Sequence, residues 1–252
     1  MERSTDNGRM RYGKFASVYD ELMEDIPYEK YVEWVGSYMQ SGKILDLACG
    51  TGTLSQLFSE MGFDVTASDL SEEMLTIANQ RFQLANQQIP VLQLSMDNLE
   101  GLSGFDAVTI AIDSLNYLAS EQKVQQTFKE AYNALNRGGH FFFDVHSIYK
   151  VDHLYMDSPF VYDADDISYI WHTEPGDAAH SVVHDLTFFV RQGRLFERFE
   201  ETHEQRTFPV EMYQQWLIDA GFEAVQVTAD FSDQSSTATS ERVFFHAVKK
   251  ES

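Results

Sequence analysis

The chain holds 252 residues, 43% apolar and 23% charged, enough for one large domain or one domain with an insertion; it is neither a disordered chain nor a mini-protein. Its 18 Lys and Arg stand against 40 Asp and Glu, a net charge of -22, which repels phosphate backbones and anionic membranes and argues against a dedicated nucleic-acid binder. Cys49 is the single cysteine, Met1 to Met10 holds no apolar signal core, and the densest apolar run, around Phe141 to Phe143, is too short to span a bilayer, so a cytoplasmic protein without a membrane partner is expected.

Helical apolar spacing covers Ser17 to Met23 and Tyr28 to Met39, interrupted at Ile26-Pro27. Lys43 to Leu47 is a short apolar strand, followed by a Gly-rich turn and a helix from about Thr53 to Met61. Asp64 to Asp69 reads as a second strand. Ser71 caps the next helix, where Glu72 and Glu73 suit the positive end of the dipole and Met74, Ala78, Phe82 and Ala85 repeat on one face. Val91 to Leu94 is a third strand, and Phe105 to Ala111 a fourth, continuous and apolar as a buried parallel strand is. Ser120 opens a helix with Val124, Phe128, Ala131 and Leu135 on one face, and Arg137-Gly138-Gly139 is expected to stop it. His140 to Val145 is a fifth strand. Five strands alternating with helices predict a doubly wound, mostly parallel α/β sheet.

After about Lys150 this rhythm breaks. Residues 151–206 have no helical period and many β-formers. Ser168 to His172 reads as a strand, and Ser181 to Val190 and Leu195 to Thr202 flank the hairpin turn Arg191-Gln192-Gly193-Arg194. An antiparallel β insertion is predicted, longer than an ordinary loop. Pro209 then suits the first turn of a helix with Val210, Tyr213, Leu217 and Ala220 on its apolar face and Gly221 at its end. Ala224 to Phe231 and Arg242 to Val248 have no helix between them, so they are expected to run antiparallel and complete seven strands. The division predicted is residues 1–150 and 207–252 as one α/β unit, with 151–206 inserted.

The chemistry is carried by Leu45-Asp46-Leu47-Ala48-Cys49-Gly50-Thr51-Gly52-Thr53, where the first strand turns into a helix. Gly50 and Gly52 let a backbone approach a ligand closely, and the helix N-terminus behind them offers free N–H groups. Asp69 ends the second strand, where a carboxylate can accept both hydroxyls of a ribose. Together they predict a nucleoside-containing cofactor. The dinucleotide fingerprint is only half present, since Ser55 stands where its third Gly belongs. Asp46 would repel a pyrophosphate and welcome a cationic amino group, which favours S-adenosylmethionine over NAD. A nicotinamide-dependent oxidoreductase and a tight turn that binds nothing, with Asp46 as a local cap, are the competing readings.

Asp46-Leu47-Ala48-Cys49-Gly50-Thr51-Gly52 resembles motif I of the class I S-adenosylmethionine-dependent methyltransferases, which have a Rossmann-like fold, and the final antiparallel pair resembles their closing strands. The resemblance covers roughly residues 10 to 150 and 207 to 250. Tyr12-Gly13-Lys14-Phe15-Ala16-Ser17-Val18-Tyr19-Asp20 is similar to the N-terminal segment of a bacterial small-molecule-type subgroup, and a β insertion before the sixth strand fits that subgroup. The resemblance implies that Ala48, Cys49, Gly50, Thr51 and Gly52 line the methionine part, with Asp46 near its amino group. It implies Asp69 on the ribose hydroxyls, Leu70 and Met74 against the adenine, and Met96-Asp97-Asn98 at the adenine edge. Ile112 and Asp113 would face the sulfonium, and Tyr12 and Tyr19 would close the pocket. Plainer roles stay open: Met74 as core, Asp97 as a turn cap, Tyr12 and Tyr19 as docking groups for the N-terminal helix.

The acceptor is expected beyond the carboxyl ends of the fourth and fifth strands, among Asp113, Ser114, Asn116, Tyr117, Asp144, His146 and Tyr149. His146 is the candidate base, with Asp113 and Tyr19 as further candidate catalytic residues. The implied reaction is in-line methyl transfer to a small-molecule acceptor, yielding S-adenosylhomocysteine. A tRNA acceptor and a non-catalytic binding module are alternatives. No metal is expected: His180 and His184 in a strand lie roughly 13 Å apart, too far to share one ion. The acidic run Glu197, Glu200, Glu201 and Glu204 reads as a solvated strand face. The insertion is read as a lid over the acceptor or, alternatively, as a homodimer surface.

Overall fold

The computed structural model describes residues 18, 23, 25–232 and 234–251. Tyr12, Tyr19 and most of the helix expected from Ser17 to Met23 lie outside them. In chain order the described elements are α1 (Tyr28–Gly36), β1 (Lys43–Leu47), α2 (Thr53–Glu60), β2 (Asp64–Asp69), α3 (Glu72–Leu84), β3 (Val91–Gln93), β4 (Phe105–Ile110), α4 (Glu121–Ala134) and β5 (Leu135–His146). There follow α5 (Ile148–Asp152), β6 (Phe160–Asp163), β7 (Ile167–Pro175), β8 (Ser181–Gln192), β9 (Leu195–Arg206), α6 (Val210–Ala220), β10 (Phe222–Ala229) and β11 (Arg242–Lys249).

Seven strands form one sheet in the order β10-β11-β5-β4-β1-β2-β3. β5, β4, β1, β2 and β3 pair in parallel, while β11 runs antiparallel to both β5 and β10. Chain order reverses between β1 and β4, and a doubly wound sheet opens its ligand crevice at the carboxyl ends on either side of such a switch. Strand alternation divides the core into two layers. Phe141 and Phe143 pack with Phe128, Tyr213 and Leu217 on the α4 and α6 side; Phe142 turns the other way, toward the α1 and α2 side, edge-on to Trp34 at 5.2 Å. Ser71 and Ser120 cap α3 and α4 through their hydroxyls, which accept from the Met74 and Lys123 amides.

Arg137-Gly138-Gly139 does not stop α4. The helix ends at Ala134, and β5 starts at once at Leu135, carrying both glycines inside the strand with a register shift against β4. The glycine is needed there for close backbone approach: a Cβ on Gly139 would sit 2.9 Å from the Asn136 carbonyl oxygen and 3.2 Å from that of Asp106.

The β-forming segment builds a separate four-stranded antiparallel sheet, β6-β7-β8-β9. Two helical turns, α5 and a 3-10 turn at Leu154–Asp157, precede it where no helix was expected, and β6 was not foreseen. The β8–β9 hairpin is tighter than the predicted turn, with Gln192 paired to Leu195 and only Gly193-Arg194 between them. One face of this sheet is buried, at Ile167, Val182, His184, Phe188, Glu201 and Gln205. Glu201 is therefore not part of a fully solvated face.

Candidate active site

β1 delivers the buried Asp46, and the chain then bends through Ala48, Gly50 and Gly52, all at positive φ. Asp46 Oδ2 accepts from Ser55 Oγ at 2.5 Å and Oδ1 from Thr109 Oγ1 at 2.7 Å. Burial pushes its carboxyl up to about 6, although both hydroxyls oppose that shift. Asp69, at the end of β2, accepts from the Gly50 amide at 2.9 Å and the Ser71 amide at 2.8 Å, so it anchors the loop and the start of α3 together. Burial raises Asp69 as well, against these amides. A cleft of about 330 Å³ opens over the loop, lined by Tyr28, Asp46, Ala48, Cys49, Thr51 and Ile112 among others, with no lysine or arginine among the described residues of its wall. Burial, then Asp46 and Asp69, push the Cys49 thiol well up, so it stays protonated.

Across the cleft, Ile112 and Asp113 are both left-handed, at φ 57 and 50. Left-handed isoleucine is costly and needs external hold. Asp144 on β5 supplies it, Oδ1 accepting from the Ile112 amide at 2.7 Å and Oδ2 from the Asp113 amide at 3.0 Å. Arg242, the first residue of β11, donates to Asp144 Oδ2 and, at 2.8 Å, to Asp113 Oδ1. Burial alone would raise the Asp113 carboxyl, but His146 and Arg242 outweigh it and hold it well below the usual range.

His146 ends β5, its backbone fixed on both sides: its amide donates to Asn116 Oδ1 at 2.9 Å and its carbonyl accepts from Thr207 Oγ1 at 2.6 Å. Its Nε2 lies 3.3 Å from Asp113 Oδ2 and 2.9 Å from the Tyr155 hydroxyl, while buried Nδ1 has no hydrogen-bond partner among the described residues. Burial lowers its pKa, with Asp113 opposing, so the ring is neutral near pH 7.

Residues 44–139 match the model of a methyltransferase domain. YqeM of Bacillus subtilis (strain 168), a protein named as a methyltransferase, is 49% identical over 95% of this chain and 98% of its own length. A similarly named protein of Geobacillus sp. (strain WCH70) is 46% identical over 95% of this chain and all of its own. An S-adenosylmethionine-dependent methyltransferase from Clostridium acetobutylicum ATCC 824 superposes with a TM-score of 0.86 at 30% identity, over 95% of this chain and 99% of the other.

The chain belongs to the class I S-adenosylmethionine-dependent methyltransferases. This membership sets aside the nicotinamide oxidoreductase and the turn that binds nothing. The cleft of the methyltransferase suits S-adenosylmethionine chemically: the described charged residue of its wall is Asp46, and Asp69, outside that lining, keeps acceptor capacity beyond the two amides its oxygens hold.

Not every expected residue of the methyltransferase stands at this cleft wall. At Gly52 a Cβ would meet Phe82 Cζ at 2.6 Å and Ala78 Cβ at 3.0 Å, so α3 packing demands the glycine. Leu70 is 68% exposed and Met74 is buried in the first turn of α3, the two ends of a hydrophobic step beside Asp69. Met96 packs against the core; Asp97 accepts from Ser95 Oγ, with Lys123 Nζ 3.8 Å away, and Asn98 accepts from the Glu100 amide at 3.4 Å. These bonds give Asp97 and Asn98 a turn-forming role. Asn116 is a structural tie, its amide nitrogen donating to the Arg206 carbonyl, while Tyr117 is half-exposed and meets His203 edge-on. Tyr149 meets the His153 ring at a tilt of 44°, and Ser114 Oγ donates to the Ala111 carbonyl.

Sequence reading missed Ser55 and Thr109 on Asp46, Arg242 between two aspartates, and Tyr155 and Gln205 at the Asp113–His146 pair. Ser55 carried a signal, as the residue in place of a fingerprint glycine; the others had none. Among the described residues no group of three or more His, Cys, Asp or Glu is arranged to hold a metal ion, and no helix is long and apolar enough to cross a membrane.

Proposed function

We propose that this methyltransferase acts on a small-molecule acceptor in the cytoplasm, and that His146 is the base for it. The buried pair of ionised Asp113 and neutral His146 beside the cleft carries the reading. Arg242 keeps Asp113 ionised, so its carboxylate only accepts, and the His146 proton belongs on Nε2. Among the described residues nothing donates to Nδ1, whose lone pair stays available. S-adenosylmethionine, when bound, supplies a methyl group made electrophilic by the sulfonium. Asp46 holds its amino group, Asp69 its ribose hydroxyls, and Ala48 to Gly50 its methionine part, with Leu70 and Met74 against the adenine. His146 Nδ1 accepts the proton that an acceptor O–H or N–H gives up as it is methylated. Residues 151–206 act as a lid that excludes water and orients the acceptor.

The test is tritiated-methyl transfer into a fractionated cell extract by wild type and His146→Gln. Label in small molecules from the wild type alone supports the proposal. Label in RNA points to a tRNA acceptor, and equal transfer by both proteins removes the base. Replacing 151–206 with a Gly-Ser linker separates lid from dimer surface: lost transfer at unchanged size and cofactor affinity supports the lid, and an active monomer refutes it.

A further inference from the structure

A chain of hydrogen bonds runs from the second sheet to Asp113, and its direction follows link by link. The Trp171 indole N–H can only donate, and it lies 3.1 Å from His184 Nδ1, which therefore accepts. A neutral imidazole that accepts on Nδ1 carries its proton on Nε2. Burial, aided by His146, pushes His184 down to about 4, so it is neutral near pH 7. His184 Nε2 is 3.1 Å from Gln205 Oε1, which must be the acceptor. That fixes the amide orientation and turns the Gln205 NH2 to Asp113 Oδ2, at 3.0 Å. His184 and Gln205 are both buried, so neither amide nor ring is free to satisfy itself with bulk water.

Asp113 Oδ2 is thus shared between Gln205 from β9 and His146 from β5, while Oδ1 is held by Arg242 from β11. The loop that carries Asp113 is left-handed at two successive residues, so the side chain has no regular secondary structure to hold it. We propose that Gln205 is a positioning residue for the Asp113–His146 pair: through Trp171 and His184, the second sheet fixes where Asp113 Oδ2 sits and hence which nitrogen of His146 carries the proton. This rests on the reading of His146 as the acceptor-side base, and it makes that base complete only while the second sheet is docked. The other charged or titratable groups facing His146 are Tyr155, whose hydroxyl is 2.9 Å from Nε2, Lys150, Arg242 and His184.

Long-range nitrogen–proton NMR on the full chain with 15N-labelled histidine reports the tautomer and titration of each ring and needs no acceptor. In the wild type at pH 7.5, His146 and His184 are expected neutral with the proton on Nε2. Gln205→Leu removes a donor from Asp113, whose charge then acts more fully on His146; the His146 pKa should rise by about half a pH unit or more, or its tautomer become mixed. Gln205→Glu can still accept from His184 but not donate to Asp113; His184 should titrate at least about one unit higher. Should Gln205→Leu fail to fold, Trp171→Phe tests the same relay from its far end, because losing the indole donor frees the His184 tautomer. An unchanged His146 tautomer and titration in a folded Gln205→Leu or Trp171→Phe overturns the proposal, whereas a merely structural Gln205 would alter melting without moving that signal. Calorimetry with S-adenosylhomocysteine on the same samples keeps the readings apart: a wild type that does not bind refutes the cleft assignment, and an unchanged His146 refutes Gln205.

Discussion

Replacing Gly52 by Ala tests whether that glycine serves the fold or the ligand. The new Cβ would lie 2.6 Å from Phe82 Cζ, 2.8 Å from Cε1 and 3.0 Å from Ala78 Cβ, at a backbone φ of 82. Phe82 is fully buried and cannot swing aside, so the clash should cost about 1–3 kcal/mol in overpacking. The left-handed backbone adds roughly 1 kcal/mol. Gly62 provides the control. It has φ 95 and nothing within 4 Å of its added Cβ, so Gly62→Ala carries the backbone cost alone. In urea unfolding, Gly52→Ala is expected about 2–4 kcal/mol less stable than wild type and Gly62→Ala about 1. Phe82→Leu should recover part of the Gly52→Ala loss in a double-mutant cycle, with a coupling of about 1–2 kcal/mol. If Gly52→Ala proves as stable as Gly62→Ala while losing affinity for S-adenosylhomocysteine, the packing argument is refuted and the glycine faces the ligand.

Asp69→Ala is expected to weaken S-adenosylhomocysteine binding by about 1.5–3 kcal/mol in calorimetry, from lost ribose hydrogen bonds and a released Gly50 amide; wild-type affinity contradicts the ribose assignment. Arg242→Met leaves Asp113 and buried Asp144 without their shared cation and should destabilise the fold by about 3–5 kcal/mol; a change under about 1 kcal/mol in chemical unfolding refutes it as the centre of that cluster. Acid should weaken the fold through its histidines. Burial, then a neighbouring histidine, pushes His184 down to about 4 and His246 to about 3, whereas in the unfolded chain both protonate near 6.5. Their contribution is present above about pH 6.5 and is lost as pH falls through those lower values. Asp46, pushed up to about 6, has the opposite sign: its contribution is present below its unfolded pKa and lost as pH rises through 6, so it offsets part of the acid loss. His246→Phe should flatten the decline in melting temperature between pH 6.5 and 4.5, and an unchanged slope rules His246 out as a source.

Local chemistry made much of the fold legible. Caps at Ser71 and Ser120 act within three residues, strand alternation is written in the residues themselves, and a helix ending at Gly221 uses that residue's freedom at φ 105. The bend between Asp46 and Gly52 was legible from its two left-handed glycines, although Asp69 and α3 also hold it. Local reading failed where a distant neighbour decided. Arg137-Gly138-Gly139 looked like a helix stop, yet both glycines lie inside β5, where a Cβ on Gly139 would crowd the Asn136 carbonyl and, from β4 over thirty residues earlier, that of Asp106.

What the sequence by itself determined is therefore the α/β order, the cofactor loop and the acidic residues at its ends, since each depends on bonds spanning a few positions. Only the tertiary structure decided what those residues do to one another. Asp113 meets Arg242 across 129 positions and Gln205 across 92, and Asp46 takes one hydroxyl from the next helix and another from β4. No periodicity records such pairs. They form because parallel crossovers bring the strand ends together and the second sheet folds back over them, leaving buried charges that must find partners from whatever segment is nearest in space.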